Sequence, residues 1–406
     1  MAGSPTPVPR TTVRPEIQAL RAVAVGAVVL HHGWPAVAPA GYMGVDVFFV
    51  VSGYLITALL IREVGRTGGI SLGAFYLRRA RRILPAAIAV LLAVSALTIA
   101  VVPQRDWADW FRESVASTLY YENWQLAADS QIPARADLES TPVQHFWSLS
   151  VEEQFYLVWP LLLIVAVVSA RRRGRSIVRP MFVVLGFVTA ASFVHSLLLT
   201  SADHNLAYFS TIARTWEFGA GGLLALLAIT TPSKGREVLR TVASWCGLLL
   251  IAVPIVAFRD PEAFPGVWVL LPVAGTLAVI WAGTPATRWS TARVAGLRPV
   301  QWVGDVSYSL YLWHWPIFMF TPFLIGMPSP AWVMALLVVL SLLVAWLSKR
   351  LIEDPFRARR NPMPRRPAVL LGGLGFLVAA IVSTGFVAPS VAAEQQSTGH
   401  HAGERD

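Results

Sequence analysis

The chain has 406 residues, 55% of them hydrophobic and only 14% charged, with 16 tryptophans, a net charge of +10 and a mean hydropathy of +0.57. A soluble chain carries about 25% charged residues, so an ordinary soluble domain is excluded and the expectation is an all-α polytopic membrane protein. The positive charge is not the footprint of a nucleic-acid partner. If the N-terminus is cytoplasmic, only Arg105, Arg112, Arg135, Arg259 and Arg405 fall outside and Arg214 lies within a span. Every other Lys and Arg is then inside, as the positive-inside rule requires.

Residues 1–13 are rich in Pro and Thr and read as a disordered cytoplasmic tail. Eleven apolar windows follow, at 17–32, 43–61, 83–102, 154–170, 177–199, 207–230, 243–258, 267–283, 303–325, 331–348 and 368–388. Each is close to the ~20 residues that cross a ~30 Å hydrocarbon core as helix. The first has no small-residue cleavage site behind it and reads as a retained span, not a signal peptide. The longest stretch between windows, 103–150, lies outside and contains "DWADWF" and "TLYYENW". Aromatic residues there could stack on sugar rings or form an interfacial belt. Cys246, the only cysteine, sits in the seventh window, so there is no disulfide framework. Residues 14–366 thus make a membrane domain of ten helices, 367–388 an eleventh, and 389–406 a disordered outer tail, which puts the C-terminus outside.

An ionisable residue at the centre of a membrane helix costs roughly 2.5–3.5 kcal/mol, which makes Asp46, Glu152, Glu153, Arg214 and Glu217 functional candidates. Arg214 and Glu217, at i and i+3, could also simply neutralise each other. In "RAVAVGAVVLHH" Arg21 and His32 stand about 20° apart around an ideal helix and about 16 Å apart along it. They share a face, Arg21 toward the cytoplasmic end and His32 in the outer half, while His31 turns about 100° away. "HFWSLSVEEQFYLVWP" brings His145 in from outside, with Glu152 and Glu153 about two turns deeper. In "VGDVSYSLYLWHWP", Ser307, Tyr311 and His314 form one polar stripe at i, i+4, i+7. Histidines at three helix ends, with carboxylates, suit either a general acid/base site or a proton relay. Arg78, Arg79, Arg81 and Arg82 stand just before the third span. Their forks suit phosphate, and the same block would satisfy topology and bind anionic lipid heads. The histidines lack metal-ligand spacing and no HExxH occurs, so no metal is expected.

Taken in order, "RPEIQALRAVAVGAVVLHH", "GYMGVDVFFVVSGYLI", "FYLRRARRILPA", "HFWSLSVEEQFYLVWP", "RTWEFGAGGLLA", "SYSLYLWHWP" and "IEDPFR" resemble the acyltransferase type 3 family, integral membrane enzymes that acylate exported or surface carbohydrates. The resemblance covers about residues 14 to 366. It implies transfer of an acyl group, usually acetyl, from cytoplasmic acetyl-CoA to a hydroxyl of a glycan or glycolipid, in a bacterial cytoplasmic (inner) membrane. His32 inherits the catalytic role and Arg21 that of its partner. Asp46, Glu152 and Glu153 inherit supporting acidic roles, and Arg78, Arg79, Arg81 and Arg82 the contact with acyl-CoA. His145, Trp147, Arg214, Glu217, Ser307, Tyr308, Tyr311 and His314, from the same motifs, are the expected cavity residues. Ala40 stands where the family commonly has a second glycine, and Asp305 where it often has a basic residue. Members with an eleventh helix commonly carry an outer esterase-like domain on it. Here eighteen residues follow, without a Gly-Asp-Ser nucleophile block.

On this reading His32 takes the proton of the acceptor hydroxyl as its oxygen attacks the thioester, oriented by a carboxylate among Glu152, Glu153 and Asp46. A covalent acyl-histidine is the variant route. The rival is a proton-coupled exporter of a glycan or small acid, using the same histidines and carboxylates as a relay. Membrane lipid, acyl-CoA and a glycan or glycolipid acceptor are the expected partners.

Overall fold

A computed structural model describes residues 14–132, 135, 140–174, 176–230, 235–326, 330–357 and the isolated positions 375, 378, 379 and 381. Among the described residues all regular structure is helical. In chain order the helices are α1 (Pro15–Gly33), α2 (Gly44–Thr67), α3 (Leu72–Val101), α4 (Trp107–Thr118), α5 (Glu122–Asp129), α6 (Phe146–Arg172) and α7 (Val178–Ala202). Then come α8 (His204–Phe209), α9 (Thr211–Thr230), α10 (Glu237–Ala257), α11 (Leu270–Ala282), α12 (Arg298–Ile325) and α13 (Ala331–Ser348).

Seven of the described helical stretches are long and apolar enough to cross a bilayer: Gly41–Thr67, Leu72–Val101, Phe146–Arg172, Val178–Ala202, Thr211–Ile229, Glu237–Ala257 and Ala331–Arg357. The expected windows exceed this number for a physical reason. α1 and α12 have the length, 19 and 28 residues, but they carry the polar side chains of the interior: Arg21, His31 and His32 on one, Asp305, Ser307 and His314 on the other. The apolar helix Val267–Ala282 is short. Window 368–388, apart from the isolated positions named above, and the tails 1–13 and 389–406 lie outside the described residues. Within the segment 103–150, expected as a partly ordered outer cap, Trp107–Thr118 and Glu122–Asp129 are helical.

The helices that carry chemistry are the central ones. α1 packs along both α2 and α12, α2 along α9, and α12 along α3 and α13. With lipid as the solvent, close helix approach comes from packing and small residues, not from hydrophobic drive. Two glycines show this: a Cβ on Gly44 would overlap the Ala24 carbonyl of α1, and one on Gly304 would overlap the Gln18 carbonyl. α2 and α12 are thereby drawn against α1 from two sides. α7 and α13 are peripheral, with side chains such as Phe187 and Trp332 turned outward at 73% and 67% exposure.

Candidate active site

Two cavities meet inside the bundle. One, of about 90 Å³, is lined at one end by Arg21, Arg79 and Arg82, and deeper in by Ser52, Glu152, Glu153, Ser307 and Tyr308. The other, of about 260 Å³, is a chamber lined by His31, His32, His145, Ser140, Gln144 and a wall of Tyr42, Trp147, Tyr208, Phe209 and Trp315. Val45 and Tyr311 line both. Their shared wall is the neck between the arginine-lined cavity and the histidine chamber.

The hydrogen bonds fix the tautomers of the paired histidines. His314 Nδ1 lies 3.0 Å from the Leu310 carbonyl oxygen, which can only accept, so in the neutral ring Nδ1 carries the hydrogen. His314 Nε2 is then a bare acceptor. It lies 2.9 Å from His32 Nδ1, which must donate to it. The two rings are nearly parallel, at 9°. The remaining nitrogen of His32, Nε2, is therefore left with a free lone pair, the form a general base or a nucleophile requires. Trp315 packs its ring 4.3 Å from that of His32 and is itself pinned by a 2.8 Å bond from Nε1 to the Thr141 carbonyl.

His145 is anchored by a sequence device. Pro316 has no N–H to offer the carbonyl four residues back, so the Leu312 carbonyl lacks its helical partner. His145 Nε2 donates to it at 3.2 Å. Tyr311 and Ser148 share a 2.6 Å hydrogen bond, and both hydroxyls reach the His145 carbonyl, at 3.0 and 3.3 Å. His31 donates from Nδ1 to the Ala38 carbonyl at 2.9 Å.

At the other end, Arg21 bonds only Gln18, at 2.9 Å. Arg79 lies over the rings of Phe75 and Tyr156, 5.8 and 5.4 Å from their centroids. Among the described residues Arg21, Arg79 and Arg82 have no carboxylate within salt-bridge distance. Three guanidiniums thus stand together in a cavity that Glu152 and Glu153 also line, a grouping whose forks suit an anion.

The helical extramembrane cap supports the chamber from above. Thr141 donates to Glu113 on α4, and its neighbours Ser140 and Gln144 line the chamber. Burial and the adjacent Glu113 carboxyl push Glu122 on α5 well above the usual carboxylate range. Asp129 is held below that range although burial opposes this, because Arg112 grips it through two bonds of 3.0 and 2.6 Å.

The family model described as "Acyltransferase domain" matches residues 14–350. The chain belongs to this acyltransferase family. Among curated relatives, it is 30% identical over 353 residues to the peptidoglycan O-acetyltransferase OatA of Listeria monocytogenes, covering 84% of this chain and 56% of that protein. It is 30% identical over 358 residues to the O-acetyltransferase OatA of Staphylococcus aureus, covering 85% of this chain and 57% of the relative. The chain thus spans little more than half the length of these relatives. No solved structure matches. With seven apolar helices and bacterial relatives, this acyltransferase is a multi-pass bacterial membrane protein.

Its fold sorts the predicted site residues into groups. His32, His145, Trp147 and Tyr311 line the chamber, and His314 stands behind His32. Arg21, Arg79, Arg82, Glu152, Glu153, Ser307 and Tyr308 line the arginine-side cavity. Arg78 instead pairs with Glu63 at 3.1 Å, and Arg81 lines neither cavity. Arg21 and His32 share a helix face as expected but belong to different cavities.

Three acidic assignments need correction. Asp46, read as catalytic, is fully buried and ion-paired with Arg214, which also bonds Glu217 at 2.6 Å. Arg214 and Glu217 line neither cavity, so this triad is structural. It sits behind Phe49, Tyr208 and Phe264, whose rings flank the guanidinium. Glu152 accepts from Ser52 and Tyr156 in the arginine-side cavity. Among the described residues no carboxylate bonds His32; His314 does. Sequence reading missed Trp315 and His31. Trp315 adjoins His314 in the "WHWP" motif, and His31 lines the chamber beside His32.

Proposed function

We propose that this chain is a membrane O-acyltransferase that moves an acetyl group from acetyl-CoA to a hydroxyl of a cell-wall glycan. The observation that carries the reading is the bare Nε2 of His32, set by the Leu310–His314–His32 hydrogen-bond chain, in a chamber joined by a neck to an arginine-lined mouth. The names of the relatives support acetyl as the group and peptidoglycan as the acceptor. The arginine end is cytoplasmic and the histidine end faces outward, an orientation supported by the distribution of Lys and Arg.

Arg21, Arg79 and Arg82 hold the phosphate end of the donor, and the pantetheine arm lies in the neck with the thioester at His32. The acceptor hydroxyl gives its proton to His32 Nε2 while its oxygen bonds the thioester carbon. The carbon–sulfur bond then breaks, and the imidazolium returns the proton to the departing thiolate. The products are the ester and CoA thiol, with no net proton released. General-base catalysis of this kind contributes typically 10²–10⁴-fold. The His314 partner stabilises the imidazolium without itself leaving the neutral state. The aromatic wall of Trp147, Tyr208 and Trp315 offers flat faces to a sugar ring.

The test is release of CoA thiol from acetyl-CoA by purified protein in liposomes supplied with peptidoglycan fragments. Wild type is expected to release thiol and ester-modified glycan together, and His32→Ala to bind CoA but turn it over at least about 10²-fold more slowly. Binding without turnover in the wild type would sink the enzymatic reading.

A further inference from the structure

Two polar side chains of the arginine-side cavity have no task in the chemistry above. Ser307 is fully buried on α12, lines the arginine-side cavity, and its Oγ has no hydrogen-bond partner. Several buried helical hydroxyls, those of Ser95, Ser114, Thr118, Ser150 and Thr276, return their hydrogen to the carbonyl four residues back. Those of Ser196, Ser348 and Ser307 have no partner, and of these three Ser307 lines the arginine-side cavity. On α6, Glu153 lines the same cavity with no hydrogen bond or salt bridge among the described residues, and its electrostatic neighbours are Glu152 and Arg79. An unmade hydrogen bond at a buried group costs about 1–3 kcal/mol. A bare hydroxyl and an unbonded carboxyl on two helices of one cavity suit a ligand that carries both C=O and N–H.

Their level in the fold narrows the choice. Ser307 lies seven residues from His314 on α12, about 10.5 Å along the axis at 1.5 Å per residue. In a pantetheine arm the nitrogen of the first amide stands four bonds from the thioester carbon, and that of the second stands eight. With bonds of ~1.5 Å in an extended zigzag, these are about 5 and about 10 Å. With the thioester at His32, which is bonded to His314, the second amide falls at the level of Ser307.

We propose that Ser307 and Glu153 read the second amide of the donor's pantetheine arm, Ser307 donating to its carbonyl and Glu153 accepting its N–H. The neck then selects CoA-length thioesters over shorter ones, a conclusion that rests on the acyl-CoA reading above. Ser307 and Glu153 are positioning residues, remote from the reacting atoms.

Two donors separate this contribution: acetyl-CoA, and the acetyl thioester of N-acetylcysteamine, which ends after the first amide. Thiol release from both is followed on one liposome preparation each of wild type, Ser307→Ala and Ser307→Thr, with peptidoglycan fragments as acceptor. Ser307→Ala is expected to shrink the acetyl-CoA to short-thioester ratio of kcat/KM about three- to tenfold, the worth of one neutral hydrogen bond. Ser307→Thr keeps the hydroxyl and is expected to hold the wild-type ratio. Misfolded protein lowers both rates alike and cancels from the ratio. An unchanged ratio in Ser307→Ala, with acetyl-CoA still consumed, overturns the amide assignment and leaves the acyl-CoA reading standing. A wild type that releases no thiol from acetyl-CoA overturns both.

Discussion

Substituting His314 separates the hydrogen-bond chain from the base it serves. His314 is fully buried and lines neither cavity, so His314→Ala leaves both linings in place. It removes the acceptor of the 2.9 Å bond from His32 Nδ1 and frees the His32 ring to take either tautomer. Leaving a buried donor unpaired costs about 1–3 kcal/mol, and each 1.4 kcal/mol is a factor of ten. The general-base contribution of about 10²–10⁴-fold caps the loss for any residue that acts only through His32. A fall in kcat of about 10- to 100-fold is therefore expected, with the KM for acetyl-CoA little changed. His314→Gln can place its amide oxygen where Nε2 stood and is expected to recover most of the rate. The decisive arm is the double variant. His32→Ala combined with His314→Ala should be no slower than His32→Ala alone, because a residue acting through the base has nothing left to act on. The assay is thiol release under saturating acetyl-CoA. Wild-type turnover in His314→Ala, or a double variant slowed by the full product of the single losses, would refute the chain.

Arg79→Ala and Arg82→Ala should each raise the KM for acetyl-CoA about 10- to 100-fold, the worth of a charge-assisted hydrogen bond, with kcat falling far less; equal KM values in titrations of initial rate count against the anion mouth. Asp46→Ala combined with Glu217→Ala strands the buried Arg214 charge and should destabilise the fold by about 3–5 kcal/mol, read as a lowered melting temperature in detergent. Gly304→Leu should force α12 away from α1 and cost about 1–3 kcal/mol or more through overpacking, seen in the same melt. Glu122 binds its proton more tightly folded than unfolded, because burial and Glu113 raise its pKa. Its drag on stability is thus absent below the ordinary carboxylate range and grows as pH rises from there toward the raised folded value. Glu122→Gln should melt higher than wild type at pH 8, with the gap closing near pH 4; a gap that widens toward acid contradicts the assignment.

The helical frame and much of the polar interior were legible because they follow local periodicity. Arg21 and His32 share a face of α1, and Ser307, Tyr311 and His314 form a stripe on α12, as the 3.6-residue repeat dictates. What periodicity cannot give is the lateral partner. His32 meets His314 across 282 residues and Asp46 meets Arg214 across 168, and nothing local in either segment announces the match. An acidic residue in an apolar helix reads equally as a catalytic group or as half of a buried ion pair. Only the position of α9 against α2 decides that Asp46 is the second. The role of Pro316 was written in the chain, since a proline always frees one carbonyl. That the freed Leu312 carbonyl receives His145 depends on how α6 sits against α12.

The same hydrogen bonds weigh acyl transfer against proton-coupled export. A proton relay needs links that both accept and donate, so that a proton entering at one end leaves at the other. The chain from His32 runs to His314 and stops at the Leu310 carbonyl, which accepts only. On the neck side, Tyr311 and Ser148 share one hydrogen bond and both end on the His145 carbonyl, another terminal acceptor. Glu152 and Glu153 lie beyond that neck, beside the arginines. This wiring holds one proton at one nitrogen and passes it nowhere else. It suits a reaction in which the proton taken from the acceptor hydroxyl returns to the leaving thiolate within the same chamber. It follows that acetyl transfer should leave the pH inside sealed liposomes unchanged, and a dye trapped in their lumen measures this directly. Acidification or alkalinisation in step with turnover would mean that the histidines conduct, and the exporter reading would then take precedence.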